Sequence, residues 1–340
     1  MIFHPAIIAL YLASVLISFM ILYSAFYGVQ ILRRWDLRSG SELQLVLERK
    51  TYLISTLLTY LFAFELLSLF LFIFTVDRLH TFFVGAMCAA GSLYVNGYGY
   101  PALIVKMINF LLAGLWLILN YADNQAYDYP LIKKKYVLLL ILTPLVLGEM
   151  ILQAGYFLSL KPNIITSCCG SLFSTETGDL TSEISALPSL PMKGAFYLIM
   201  ILSISSGVYF FLRGRWGYFF SSASTAAFLI SLLSILSFIS LYFYELPTHH
   251  CPFCILQKGY GYIGYPLYVT LFGGAISGMG VGILMPFRNI KSLSEILPSI
   301  QKRLALTSSI LFFIFAAIVT YRMVFSDFIL EGSLLLLYRG

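Results

Sequence analysis

The stretch Thr81-Phe82-Phe83-Val84-Gly85-Ala86-Met87-Cys88-Ala89-Ala90-Gly91-Ser92-Leu93-Tyr94-Val95-Asn96-Gly97-Tyr98-Gly99-Tyr100-Pro101 decides how often this chain crosses a bilayer. With the apolar run that continues to Tyr121, it is too long for one crossing and awkward for two. Its first part is rich in small residues (Gly85, Ala86, Ala89, Ala90, Gly91), and Asn96 to Pro101 is a run of chain breakers. We read 81–95 as a short re-entrant or interfacial segment and 101–121 as a true span. A crossing at 81–95 would invert everything after it and put Lys133, Lys134 and Lys135 outside, against the preference of basic loops for the cytoplasmic side.

The composition of the surrounding chain agrees with a membrane fold. Of 340 residues, 60% are hydrophobic and 11% charged, and the mean hydropathy is +0.89, far from the range of a soluble domain. The apolar runs lack the two-residue alternation of a membrane barrel, so helices must satisfy the backbone. The net charge of +6 comes from basic residues in short loops rather than on one continuous face, so nucleic acid is not the expected partner. Nucleotide-binding loops and clear internal repeats are absent from the sequence.

The expected fold is therefore an all-α polytopic membrane protein with about eight spans: 5–32, 51–76, 101–121, 136–160, 194–212, 218–244, 256–285 and 304–325. The first run has no basic residue before it and Arg33, Arg34 and Arg38 after it, which reads as an uncleaved helix with its N-terminus outside. With both ends outside, fourteen of the 21 Lys and Arg residues fall in the four inner loops. Two membrane halves, 1–160 and 193–340, flank an outer loop at 161–192 that carries Cys168-Cys169-Gly170. The expected location is a bacterial inner membrane, multi-pass, with lipid as the surrounding partner.

Between the sixth and seventh spans lies Thr248-His249-His250-Cys251-Pro252-Phe253-Cys254-Ile255-Leu256-Gln257-Lys258, with two of the five cysteines and two of the four histidines. Two cysteines separated by two residues can close a small disulfide ring, and a helix opening at Cys251 would stabilise its thiolate. On the eight-span reading this pair shares the periplasmic or extracellular side with Cys168 and Cys169, where cysteines are structural bridges, redox pairs or soft-metal ligands. His249 and His250 are candidates for moving the protons of two-electron chemistry. Gly259, Gly261 and Gly264 interleave with Tyr260, Tyr262 and Tyr265, a pattern that in a helix leaves a groove beside aromatic faces, suited to a flat ring; helix packing with an interfacial aromatic belt is the plain alternative. Cys88, among small residues, reads as a buried hydrophobe. Gly274, Gly278 and Gly282, spaced by four, read as helix packing.

Cys251-Pro252-Phe253-Cys254-Ile255-Leu256-Gln257-Lys258 resembles the Cys-x-x-Cys-x-x-Gln/Glu-Arg signature of the bacterial disulfide-bond formation protein B family. That the loop cysteines come before the Cys-x-x-Cys is closer to the order in the vitamin K epoxide reductase family. The resemblance implies a membrane thiol–disulfide oxidoreductase that exchanges electrons between an outer-face thiol protein, thioredoxin-like or other, and a membrane quinone (ubiquinone or menaquinone). It implies Cys251 and Cys254 as the quinone-proximal pair, with Lys258 and the neighbouring Gln257 of the signature beside the quinone, and a second, loop-borne pair for which Cys168 and Cys169 stand; Tyr260 and Tyr262 are the aromatic faces that the glycine–tyrosine pattern offers the ring. Lys258 stands where the family has an arginine, and a point charge cannot make the fork of bonds that guanidinium makes.

Three ionisable residues, Glu65, Lys106 and Glu149, lie within the apolar runs at similar depth. Charges there are costly and are usually paired or functional, so we expect Lys106 to pair with Glu65 or Glu149, as structure or on a proton path to the quinone. Another class of function remains: Cys168, Cys169, His249, His250, Cys251 and Cys254 would together suit copper, zinc or mercury in a metal permease. Against it, the sequence shows no span with the repeated polar residues of an ion path. A non-catalytic subunit of a membrane redox complex is a third reading. No haem is expected, because the histidines precede the first cysteine and only His4 and His80 are left over.

Overall fold

A computed structural model of the chain describes residues 4–36, 41–161, 165–166, 188–326 and 328. The cysteines Cys168 and Cys169, and most of the expected outer loop, lie outside the described residues. We number the helices α1 (Pro5–Arg34), α2 (Glu42–Leu79), α3 (Ala89–Tyr94), α4 (Gly99–Asn124), α5 (Ile132–Leu158), α6 (Ser189–Arg213), α7 (Gly217–Ser234), α8 (Ser240–Tyr244), α9 (Gly264–Leu284) and α10 (Ile296–Phe325). A π-helical turn, Ile235–Ile239, joins α7 to α8. Eight of the described helical segments are long and apolar enough to cross a membrane, as the sequence led us to expect.

Local chemistry sets several helix ends. Ser41 caps α2 by accepting from the Gln44 amide, and His4 caps α1 ahead of Pro5, whose ring suits a first helical position. Gly214, at φ +68°, ends α6 in the left-handed conformation. Between α2 and α4 the chain makes a 3-10 turn, His80–Phe82, and then the six-residue α3, too short to cross a bilayer. The segment 81–95 thus does not cross: Cys88 to Leu93 are buried, and α4 departs from the same end at which α2 arrives.

The long helices pack in two groups of four. In one, α1 and α4 both lie against α2 and α5; in the other, α9 lies against α7 and α10, and α6 closes the ring. The two groups meet along α4 and α9. Here Gly114 of α4 admits Ile276 of α9, and a Cβ at Gly114 would come within 2.5 Å of that side chain. The glycines spaced by four on α9 face the second group. Gly278 and Gly282 meet Ser224 and Ser221 of α7, and Gly274 meets the Phe312 ring of α10. Without a hydrophobic drive between helices in lipid, such close backbone approach is a main source of association.

One end of the bundle, here the cysteine end, gathers Cys88, Cys251 and Cys254. The opposite end carries Arg33, Arg34, Lys133 and Arg213 at or beside helix termini. Lys135 is no loop charge: it is fully buried, paired with Asp123 at 2.8 Å and bonded to Asn120 Oδ1 at 3.0 Å. Asp123 also accepts from the Leu131 amide at 2.7 Å, closing the α4–α5 turn.

Filling the approach at Gly278 should be felt directly. Gly278→Val places carbon where Ser224 Oγ lies 2.3 Å from an ideal Cβ, and overpacking of this kind costs ~1–3 kcal/mol. A lowered melting temperature of the purified protein, with Gly148→Val unchanged because nothing lies within 4 Å of a Cβ there, is the expected result of thermal denaturation.

Candidate thiol centre

The centre forms where helix is interrupted. After the π turn, α8 runs only to Tyr244, and Glu245 at φ +56° stops it with its amide bonded to Leu241 O. The chain then passes through irregular backbone to Cys251, a 3-10 turn at Cys254–Leu256 and a second at Lys258–Tyr260. Gly261 (φ +64°) and Tyr262 (φ +57°) follow in the left-handed region, and α9 begins only at Gly264. The expectation that Cys251 opens a long helix is therefore corrected. Two consecutive left-handed residues separate the Cys-x-x-Cys from the helix, so no long-helix dipole points at either sulfur. For the same reason Gly259 and Gly261 lie in turns, not on a helix face.

Side chains supply what the broken helix does not. The Tyr244 hydroxyl, buried beneath the loop, donates to Cys251 O at 2.5 Å and accepts from the Ile255 amide at 3.0 Å, so one phenol holds both ends of the motif. Tyr268 of α9 donates to Pro252 O at 2.7 Å, and His250 Nδ1 lies 2.8 Å from Leu236 O in the π turn. His250 is thereby an anchor of the loop, while His249 reaches the sulfur: its Nε2 is 3.4 Å from Cys254 Sγ.

A second bridge brings in the segment 81–95. Gln257 donates through Nε2 to Asp77 Oδ1 at 3.0 Å and to Met87 O at 2.8 Å, and Asp77 Oδ1 also accepts from the Ala89 amide at 3.2 Å. Cys88, between Met87 and Ala89, is held with its Sγ 3.5 Å from Cys251 Sγ. The sulfurs of Cys88, Cys251 and Cys254 all lie within 4.8 Å of one another, and all three residues are buried. The sequence reading missed Cys88 as a member of the site. The available signal was its position in a segment that turns back at the end where the Cys-x-x-Cys lies.

The start of the expected outer loop is also fixed here. Thr166 donates through its amide to Val84 O at 2.9 Å and through its hydroxyl to Gly91 O at 3.0 Å. Gly85 adopts φ +90° to allow this, and a Cβ there would lie 2.4 Å from Thr166 O. Cys168 follows two residues later in sequence, outside the described residues.

Three of the hollows among the described residues lie near the centre; the smallest, about 220 Å³ and apolar, is lined by Pro252, Phe253, Leu256 and Tyr268. A groove of about 690 Å³ lies between the Gly259–Tyr260–Gly261 turn and α10, walled by Phe313, Ala317 and Tyr321 with Arg322 at its edge. The Tyr260 ring, at its border, stands 4.9 Å from that of Tyr244, which stands edge-on to His249 at 4.5 Å. Burial, with Cys254 nearby, pushes the Tyr260 phenol above its ordinary value. Of the four residues expected around a cofactor, only Tyr260 lines this groove. Gln257, Lys258 and Tyr262 line a more polar hollow of about 470 Å³ with Asp77 and His80. Glu65, Lys106 and Glu149 come together deeper in the first four-helix group, where Lys106 pairs with Glu149 at 2.5 Å.

Compared with known protein families, with curated proteins and with solved structures, the chain matches none.

If the Tyr244 hydroxyl holds the motif, Tyr244→Phe leaves Cys251 O and the Ile255 amide without their partner at a cost of ~1–3 kcal/mol. In the folded, reduced protein, maleimide labelling of Cys251 and Cys254 should then be faster than in the parent, with the helix content kept.

Proposed function

We propose that the protein is a membrane thiol–disulfide oxidoreductase that exchanges electrons between a thiol protein and a lipid-soluble quinone. The observation that carries this reading is that Cys251 and Cys254 lie beside a third sulfur, and that contacts from Cys254 through His249, Tyr244 and Tyr260 lead to the border of an apolar groove. The Cys251–Cys254 dithiol passes two electrons and two protons to the quinone, forming the disulfide and the quinol. Thiols of the partner then reduce that disulfide by exchange and become a disulfide themselves. His249, in contact with Cys254 Sγ, is placed to accept the thiol proton. Cys88 Sγ, 3.5 Å from Cys251 Sγ, is placed to enter the exchange, and Cys168 and Cys169 are the pair that would meet the partner. The concentration of basic residues at the opposite end supports placing the cysteine end on the outer face of a bacterial inner membrane. The resemblance of the Cys251–Lys258 stretch to the disulfide-bond formation protein B signature supports the same chemistry.

A second reading is favoured by Cys88: three sulfurs within 4.8 Å, with an imidazole against one of them, suit copper(I) or zinc held by thiolates. One sample decides between the two. Purified protein is alkylated with and without prior reduction, its metal content is measured, and ubiquinone or menaquinone reduction is followed with dithiothreitol as electron donor. The redox reading expects alkylation of Cys251 and Cys254 only after reduction, no stoichiometric metal, and quinone reduction that falls at least tenfold in Cys251→Ser and Cys254→Ser. Stoichiometric copper or zinc, with thiols open to alkylation only after chelation, would overturn it in favour of the metal.

A further inference from the structure

The first four-helix group holds a cluster of charge that the thiol chemistry does not use. Lys106 of α4 bonds Glu149 Oε1 of α5 at 2.5 Å and Ser68 Oγ of α2 at 3.0 Å, and Asn109 donates to Glu149 Oε2 at 2.6 Å. Glu65 of α2 is buried one turn before Ser68 on the same face, which brings its carboxyl to the side of the helix that meets Lys106, and the charged groups that act on it are Glu149 and Lys106. All of these side chains are buried, Asn109 completely and Lys106 to 2% exposure. Along helices rising ~1.5 Å per residue, Lys106 and Glu149 stand roughly 10–14 Å in from the cysteine ends of α4 and α5.

Two carboxylates and one ammonium leave a negative charge that nothing else in the cluster balances. In a medium of low dielectric an uncompensated charge is costly, and two carboxylates in contact relieve it by sharing a proton. We propose that Glu65 and Glu149 hold a single proton between them, forming a proton-binding site inside the membrane that is loaded from the cysteine end. Glu149 is the ionised partner, since it receives both Lys106 and Asn109. Glu65, on the Ser68 side of the same ammonium, carries the proton.

The loading route is marked by a polar side chain between the cluster and the cysteine end. Gln153, one turn beyond Glu149 on α5, donates through Nε2 to Leu10 O and Ser14 Oγ, but its buried Oε1 meets no donor. Asn109 Oδ1 and Ser18 Oγ, likewise buried and without a hydrogen-bond partner, lie level with the cluster or just beyond it, so Gln153 is the group on the cysteine side. Buried oxygens of this kind are places where ordered water binds. Toward the opposite end the polar line stops: Trp116, fully buried with the Phe62 ring edge-on at 5.0 Å, and Ala113 separate this cluster from the Asn120–Asp123–Lys135 group. The proton therefore has access from one side. The site stands apart from the thiol reading, because none of its groups needs a sulfur or a quinone.

Infrared difference spectroscopy of the purified full-length protein at neutral pH tests this through the carbonyl stretch of a protonated carboxyl. The parent should show one such band that is lost in Glu65→Gln and also in Glu149→Gln, where Glu65 ionises to pair with Lys106. In Lys106→Met both carboxyls must be neutral, so the band should roughly double. Melting curves identify which variants remain folded, and the isosteric Glu65→Gln should keep the parent's stability. On transfer to D₂O the band should shift, several-fold more slowly in Gln153→Leu; an unchanged rate would overturn loading along Gln153. Absence of the band from the parent, or its survival in both glutamine variants, would overturn the proton site. A missing band together with stabilisation by sodium over choline would replace the proton by a bound cation.

Discussion

Every backbone amide and carbonyl at membrane depth must find a partner within the protein, and the irregular stretch around the sulfurs exists only because phenols and amides answer that demand. Helix α2 has ended, α8 has stopped and α9 has not begun, so the usual i to i−4 ladder is missing at the same point from several sides. Tyr244 and Tyr268 satisfy Cys251 O, Pro252 O and the Ile255 amide, and Gln257 satisfies Met87 O. Tyr156 does the same for Ser92 O, and Asn96 for Tyr156 O. The placing of three sulfurs in one spot is a by-product of this network. Asp77 accepts from both Gln257 and Ala89, so a single carboxylate ties the loop bearing Cys251 to the segment bearing Cys88.

Much of the architecture was legible in the chain because hydropathy and basic loops speak directly to crossing. The re-entrant reading of 81–95 came from small residues followed by Asn96, Gly97 and Gly99, which cannot sustain a helix through the bilayer. The packing of α9 was legible in Gly274, Gly278 and Gly282. The pairing of Lys106 with a glutamate was legible because few charges in apolar runs were available to choose from. What could not be seen was anything set by tertiary contact. Cys88 has the local surroundings of any small buried residue, and the bonds from Gln257 to Asp77, across 180 positions, and to Met87 O bring it to Cys251. The interruption between Cys254 and Gly264 was hidden because Ile255, Leu256 and Ile263 carry the apolar run up to the helix that follows.

Lys135 and α4 carry a related lesson. The triple lysine reads as a solvated loop, yet its third member turns into the core to meet Asp123 and Asn120. Lys106, Asn109, Asn120 and Asp123 are all buried, and their three- and four-residue spacing, continued through Ala113 and Trp116, marks one face of α4. The sequence reading found no span with the repeated polar residues of an ion path, and the stripe on α4 is taken up in buried pairs. Interleaved with Leu, Ile and Phe on the other faces, the stripe leaves the average hydropathy of the helix high, and only its period betrays it. The two four-helix groups consequently differ in character: the first holds paired charges in its interior, while the second, apart from the thiol loop, is knit by glycine, serine and aromatic packing.

The groove beside Tyr260 is walled by Phe313 and Tyr321, which are largely exposed on the membrane-facing surface of α10. A recess that opens sideways into a bilayer is in exchange with acyl chains, which are its default guests. Any ligand that enters it does so by displacing lipid, so its occupancy follows the ligand's mole fraction in the membrane rather than its concentration in water. Diluting the same protein and ligand into more lipid would empty the groove even though no aqueous concentration had changed.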